Sequence, residues 1–543
     1  MIEFINLIFS LFIIYFSILG YGLIINSSKI KHDIFLTFIS GYFFIGLTTL
    51  IFHFFFPIGN VFSLVVIIFG IFLLIIKRKY LIKSFYFEYL FVYLIISLLL
   101  VGYSDHAIDS NMYHHPYISY LKSEKIIFGI ANIEFRFGHI SFLQYVQAAL
   151  TNNYLNLISI SAPNLVIFSM FIIYSADEIF KRNENIITFL VTLMISSFVL
   201  IKLARFREFG NDLIPFVVSS YFFINVIKSY YKKQELNLFY FSPIFGAFML
   251  VHKISYIFST LIFLAIFKIK YLANFKNYKL ILILFLSLVI LWLIKNFIHT
   301  SCFIYPIIQT CMANTDWYLT GISDPERASR LTELWAKDFI TNPEWKNINL
   351  DDYMNSFAWV NNWLNNHFIK ILEKLSPLFA TFIIINFFFF IKKSNKKVKL
   401  ESKKFFLNLV ILTSIGLIIW FLKAPLFRYG SFYIISFLIL IFIILNLNLI
   451  KRVNLKELRK LKYIFFISLI FFSVKNISRQ INSENNFFTE TTKNINNYKI
   501  VNKDPIIIRP IKIPLCYYTY NICSHEIPKG FKVSRLKNYY LIN

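Results

Sequence analysis

The chain has 543 residues, 57% of them hydrophobic and 20% aromatic, with a formal net charge of +27. A soluble domain cannot hide that much apolar surface, and the apolar runs are continuous rather than alternating, which argues for helices and against a β-barrel. The cations would suit nucleic acid in a soluble protein. Here they sit in short loops between apolar runs, where membrane topology and anionic headgroups account for them, so no nucleic-acid partner is expected.

Apolar runs lie near residues 3–26, 33–56, 60–77, 85–102, 156–175, 186–203, 213–230, 237–251, 254–268, 278–299, 374–392, 405–422, 430–450 and 461–475. Roughly twenty such residues cross a hydrocarbon core of about 30 Å. The expected fold class is therefore an all-α multi-pass transmembrane helical bundle of about fourteen helices. The first run is too long for a signal-peptide core and lacks a basic start, so it reads as a retained helix. The runs 237–251 and 254–268 read either as a hairpin or as one long helix broken at His252-Lys253.

Lys/Arg-rich loops at 77–83, 180–185, 230–235, 268–279, 392–399 and 451–462 fall on one side if that pair is a hairpin, and the positive-inside rule makes that side cytoplasmic. The organisation that follows is transmembrane helices over 1–102, an extracytoplasmic loop over 103–154, helices over 155–299 and a Trp-rich extracytoplasmic loop over 300–370. Helices over 371–475 and an extracytoplasmic tail over 476–543 complete it. The tail mixes polar residues with β-prone runs such as Ile506–Ile508, so it is expected to be a small mixed α/β or β domain.

Cys302 and Cys311 share one outer loop, and Cys516 and Cys523 share the tail. An oxidising compartment permits disulfides Cys302–Cys311 and Cys516–Cys523; free thiols in a reducing setting are the alternative, and the spacing is not that of a standard zinc finger. Trp317, Trp335, Trp345, Trp359 and Trp363 crowd the loop at 300–370, as interface anchors or as platforms for sugar rings.

Polarity gathers in Tyr103–His139. Asp105 and Asp109 follow an apolar run directly and, four apart, would share a helix face. A carboxylate at that interface is costly unless paired or functional, although Asp109 could equally cap a helix. His114, five residues on, suits a hydrogen bond to a phosphate or hydroxyl. Arg136 offers a planar donor fork for phosphate, or a salt bridge to Glu134 or Glu124. Lys253 at the hairpin tip, Arg205 and Arg207 with Asp212 after them, and Arg428 between two helices would form a cationic rim for an anionic, membrane-borne ligand, or simply snorkel to the surface.

An acidic loop after an early helix at the outer face of such a bundle resembles the GT-C superfamily of integral-membrane glycosyltransferases. The chain is similar more closely to a poorly characterised bacterial family of GT-C-like proteins. The residues that carry the resemblance are Asp109, Tyr113-His114, Gly129-Ile130-Ala131-Asn132 and Arg136-Phe137-Gly138. Further on they are Lys295-Asn296 with Ser301 to Pro306, then Cys516, Cys523 and Gly530-Phe531. Lys295 stands where that family has Arg, Cys302 where Gly is usual and His139 where an aromatic is expected.

The resemblance implies sugar transfer from a polyprenyl-phosphate-linked donor on the extracytoplasmic face of a bacterial inner (plasma) membrane, in cell-envelope glycan synthesis. The acceptor would be a glycan, lipid or protein, with membrane lipid around it. Asp109, with Asp105 beside it, is the candidate catalytic base. His114, Arg136, Arg205, Asp212, Lys253, Asn296 and Arg428 are the candidate substrate and phosphate ligands. A divalent metal on Asp105 and Asp109 is left open, and no other cofactor is implied. The rival expectations are a transporter or flippase of a lipid-linked saccharide and an O-antigen-type polymerase or ligase.

Overall fold

The computed structural model describes residues 2–24, 33–77, 86–101, 108–182, 185–203, 212–232, 238–268, 279–338, 350–391, 403–453, 455–482, 498–511, 515–516, 518–528 and 530–543. Among them, nine helices are long and apolar enough to cross a membrane: Ile2–Gly22, Ile34–His53, Ser159–Phe180, Leu213–Lys232, Leu282–Thr300, Trp359–Ile391, Lys403–Lys423, Phe427–Ile450 and Lys456–Ile481. Shorter apolar helices cover Asn60–Ile76, Phe87–Val101, Ile186–Lys202, Ser242–His252 and Ile254–Ile266. Each apolar run of the sequence thus meets a helix. The doubtful pair is a hairpin: Lys253 is extended at φ −160° and ψ 106°, and the 3-10 stretch Ile254–Ile266 packs back along Ser242–His252.

Helix ends are set by short polar side chains that satisfy otherwise orphaned amides. The Asp33 carboxylate accepts from the Leu36 amide at 2.9 Å, and Asn185 accepts from those of Ile187 and Thr188. Helices Ile2–Gly22 and Asn60–Ile76 cross where Gly20 faces Gly70. A Cβ on Gly20 would lie 1.8 Å from the Gly70 carbonyl oxygen, so only glycine allows that approach.

The first long loop is a packed layer. Its helices are His115–Ser123 and Phe142–Leu150, the latter started by a Ser141/Gln144 capping box. Its other end is held by the buried Lys122 ammonium, which donates to the carbonyls of Ala148, at 3.4 Å, and Thr151.

The tail is β as expected, but it starts later, since the last helix runs on to Ile481. β1 (Tyr498–Lys503) pairs antiparallel with β2 (Ile506–Pro510), and β2 pairs parallel with β3 (Ile522–Cys523). β4 (Val533–Leu536) and β5 (Tyr539–Ile542) form a hairpin. The tail lies on the first loop. The Cys516 amide donates to the Asn111 carbonyl at 2.9 Å, Thr519 donates to Ser119 Oγ at 3.1 Å, and the Phe128 amide donates to the Tyr540 carbonyl at 3.0 Å while the Ile542 amide donates to that of Phe128 at 2.9 Å. Gly129, at φ +69°, sits under this strap, where a Cβ would meet the Ile542 carbonyl oxygen at 2.2 Å. Disulfides join Cys302 to Cys311 and Cys516 to Cys523.

Candidate functional site

Asp109 immediately precedes a single π-turn, Ser110–His114, which runs directly into helix His115–Ser123. Such bulges re-aim side chains and recur at functional sites. Here the turn leaves the Asp109 side chain 36% exposed while His114 is buried. Asp109 makes no capping bond, so the helix-cap reading fails. Its Oδ2 faces Arg428 Nη1 at 3.4 Å instead, across more than 300 residues of sequence.

Arg428 comes from the first turn of helix Phe427–Ile450. Its guanidinium donates to the Tyr429 hydroxyl at 3.2 Å and lies 5.1 Å from the Trp335 ring centre. Lys253, at the hairpin tip, pairs with Asp212 and lies 4.2 Å over the same Tyr429 ring. Tyr429 thus carries both cations, one on its face and one at its hydroxyl, which fixes their spacing without neutralising them.

His114 completes the group. Burial, reinforced by Lys253 and Arg428 and opposed by Asp109, lowers its pKa from 6.5 to about 4. It is therefore a neutral imidazole near pH 7. Gln144 lies 3.0 Å from Nδ1; with its amide donating there, the ring proton sits on Nε2. The Tyr113 hydroxyl is pushed well above its ordinary value, chiefly by burial and secondly by Asp109. The arrangement offers the half-exposed Asp109 carboxylate, the Asp212 carboxylate paired with Lys253, two cations on an aromatic base and a neutral imidazole. An anionic ligand could displace the long Asp109–Arg428 contact at small cost, since exposed ion pairs contribute about 0–1 kcal/mol.

Asp109, His114, Asp212, Lys253 and Arg428 are thus brought together. Asp105 and Arg205 lie outside the described residues. Two candidates are drawn elsewhere. Arg136 is held through Nη1 by Glu134 at 2.9 Å and Glu526 at 3.1 Å, so that nitrogen faces carboxylates rather than an open phosphate site. It still borders the group, 5.7 Å from the Tyr113 ring. Asn296 bonds inward, donating to the Phe303 carbonyl at 3.2 Å and accepting from Lys295 at 3.2 Å. It shapes the turn from Ser301 to Pro306.

Three of the loop tryptophans have structural work. Trp359 and Trp363 are core residues, with Trp363 bonded to the Pro425 carbonyl, and Trp317 donates to that of Phe297. Trp345 is outside the described residues. Trp335, 46% exposed and beside Arg428, is the one placed at the group. Sequence reasoning missed Tyr429, although it adjoins Arg428, and Gln144, whose capping-box position gave a local signal. A separate groove of about 490 Å³ between Phe55–Pro57, Lys125 and Tyr539-Tyr540 includes none of these side chains.

The model of the family DUF8201, described as a domain of unknown function, matches residues 4–435. That stretch contains Asp109, His114, Asp212, Lys253 and Arg428 and stops short of the tail. No curated protein and no solved structure matches the chain.

Proposed function

The chain belongs to the DUF8201 family, whose description assigns no function, and from that premise we propose that it is a GT-C-like membrane glycosyltransferase working at the extracytoplasmic face. It takes a sugar from a polyprenyl-phosphate-linked donor. The observation that carries this reading is the Asp109 carboxylate, half-exposed and 3.4 Å from Arg428, with Lys253 on the shared Tyr429 ring. Support for the face comes from chain direction: Lys253 and Arg428 sit at helix ends opposite those that lead into the Lys/Arg-rich loops.

In the proposed reaction an acceptor hydroxyl attacks the anomeric carbon. Its proton passes to Asp109 as the new glycosidic bond forms. The bond from the anomeric carbon to phosphate oxygen breaks, and the lipid phosphate leaves with the electron pair. Arg428 and Lys253 stabilise that developing charge. Releasing Arg428 from Asp109 toward the phosphate also frees the carboxylate to accept the proton. His114, neutral, donates a hydrogen bond rather than a charge.

Asp109→Asn keeps the shape and removes the base. It should lower transfer from a polyprenyl-linked donor by roughly 10²–10⁴-fold in purified protein with an unchanged elution profile. Undiminished transfer would overturn the assignment of the base. Vesicle transport that persists in the variant, with no transfer by the wild type, would favour a flippase.

A further inference from the structure

Arg136 leads to a second cluster, separate from Asp109. Glu134 on the first loop and His525 and Glu526 on the tail each offer a ligand atom, and these atoms lie within 4.8 Å of one another. His525 Nδ1 is 3.5 Å from Glu134 Oε2, and His525 Nε2 is 3.4 Å from Glu526 Oε1. Both separations exceed the roughly 2.7–3.2 Å of a good hydrogen bond. The Nδ1–Oε2 separation matches the edge of a coordination tetrahedron with bonds of about 2.1 Å, which is about 3.4 Å; an imidazole gives one nitrogen to a given ion, so Nε2 and the Glu526 Oε1 that Arg136 holds fall outside the set. Independently, His525 Nδ1 and Glu526 Oε2 are buried and make no hydrogen bond. Buried polar atoms left unpaired are costly, and each such atom calls for a partner.

The charge selects the sign of that partner. Arg136 engages one oxygen of each glutamate, at 2.9 and 3.1 Å. One guanidinium faces two carboxylates, so the remaining donor atoms suit a cation. An imidazole in the set favours a borderline transition metal over calcium or magnesium, whose sites are built from oxygens.

We propose that Glu134, His525 and Glu526 form a binding site for a divalent transition-metal ion of the zinc class. The ion clasps the tail to the first loop. Three protein ligands leave a coordination position for water. Ser524 Oγ, which donates to the Ile133 carbonyl at 2.6 Å and lies 3.4 Å from Glu134 Oε2, holds the two segments in register. The proposal is independent of sugar transfer and stands if that reading fails.

The test uses the full chain in detergent, stripped with chelator and titrated with Zn²⁺ alone by calorimetry and with Co²⁺ alone by visible absorption. The expected result is one equivalent of Zn²⁺ bound, and Co²⁺ bands of the intensity that four- or five-coordinate sites give. His525→Ala and Glu526→Gln should each weaken Zn²⁺ binding at least tenfold. The wild-type Co²⁺ spectrum needs no variant, so a variant that fails to fold does not remove the test. Absence of saturable binding, a weak octahedral Co²⁺ spectrum, or undiminished affinity in both variants would overturn the proposal.

Discussion

Two arginines meet carboxylates of the first loop, and they differ in how closely and how deeply those carboxylates are held. Arg136 is sandwiched between Glu134, which is fully buried, and Glu526, at 2.9 and 3.1 Å. Arg428 faces the half-exposed Asp109 at 3.4 Å and also meets the hydroxyl and ring of Tyr429 and the ring of Trp335. Burial drives the Glu134 carboxyl upward and Arg136 pulls it back, the signature of an ion pair that structure has to sustain. Removing one partner of such a pair strands the other in low dielectric, whereas a looser pair at the rim can trade its partner for a ligand. The two sites resemble each other in composition, and the difference lies in the carboxylates: two meet Arg136 Nη1 at 2.9 and 3.1 Å, while Asp109 faces Arg428 at 3.4 Å.

The sharpest way to break that contrast is to truncate both arginines. Arg136→Ala should destabilise the detergent-solubilised protein by about 3 kcal/mol, because Glu134 is left buried without its cation. Arg428→Ala should cost about 1 kcal/mol or less while impairing transfer. Thermal unfolding of the pair reads both, and equal losses would erase the distinction.

Acid offers a test of comparable size. His114 titrates at about 4 in the folded protein against 6.5 unfolded, so the unfolded chain binds the extra proton between those values. Its stabilising contribution is complete above pH 6.5 and is lost as pH falls toward 4, up to about 3 kcal/mol. The groups that tune it are Asp109, Lys253 and Arg428. Unfolding midpoints measured from pH 7 to 4 should drop less steeply in His114→Gln than in wild type. Parallel profiles would place the acid sensitivity elsewhere.

The smallest effect is a control. Lys423 reaches Glu333 at 3.5 Å with its own side chain 72% exposed. Lys423→Ala should change stability by less than about 0.5 kcal/mol. A larger loss would mean that surface pairs at this end of the bundle matter as much as Arg136.

What was legible in the sequence followed from local rules. Apolar runs mark helices because length and burial suffice to define them, and the positions of Lys253 and Arg428 at helix junctions could be read directly. Their partners could not. Asp212 follows Arg205 and Arg207 in the chain, yet nothing in the sequence says that Lys253 closes on it. Glu134, two residues from Arg136, was a foreseeable partner, while Glu526 lies 390 residues away and is invisible without the fold. Asn296 shows the opposite failure: its amide suited a ligand by chemistry, but the turn at Phe303 uses it first.

The strap of the tail across the first loop has a consequence in time. Thr519 bonds to Ser119, and Asn132 to Ile542, at separations of 400 and 410 residues. At roughly 5–20 residues per second, synthesis of the intervening chain takes on the order of a minute. Throughout that interval the loop bearing Asp109 exists without the backbone partners that will fix it. Its final shape is a late event of biogenesis, reached only after the bundle beneath it has been made.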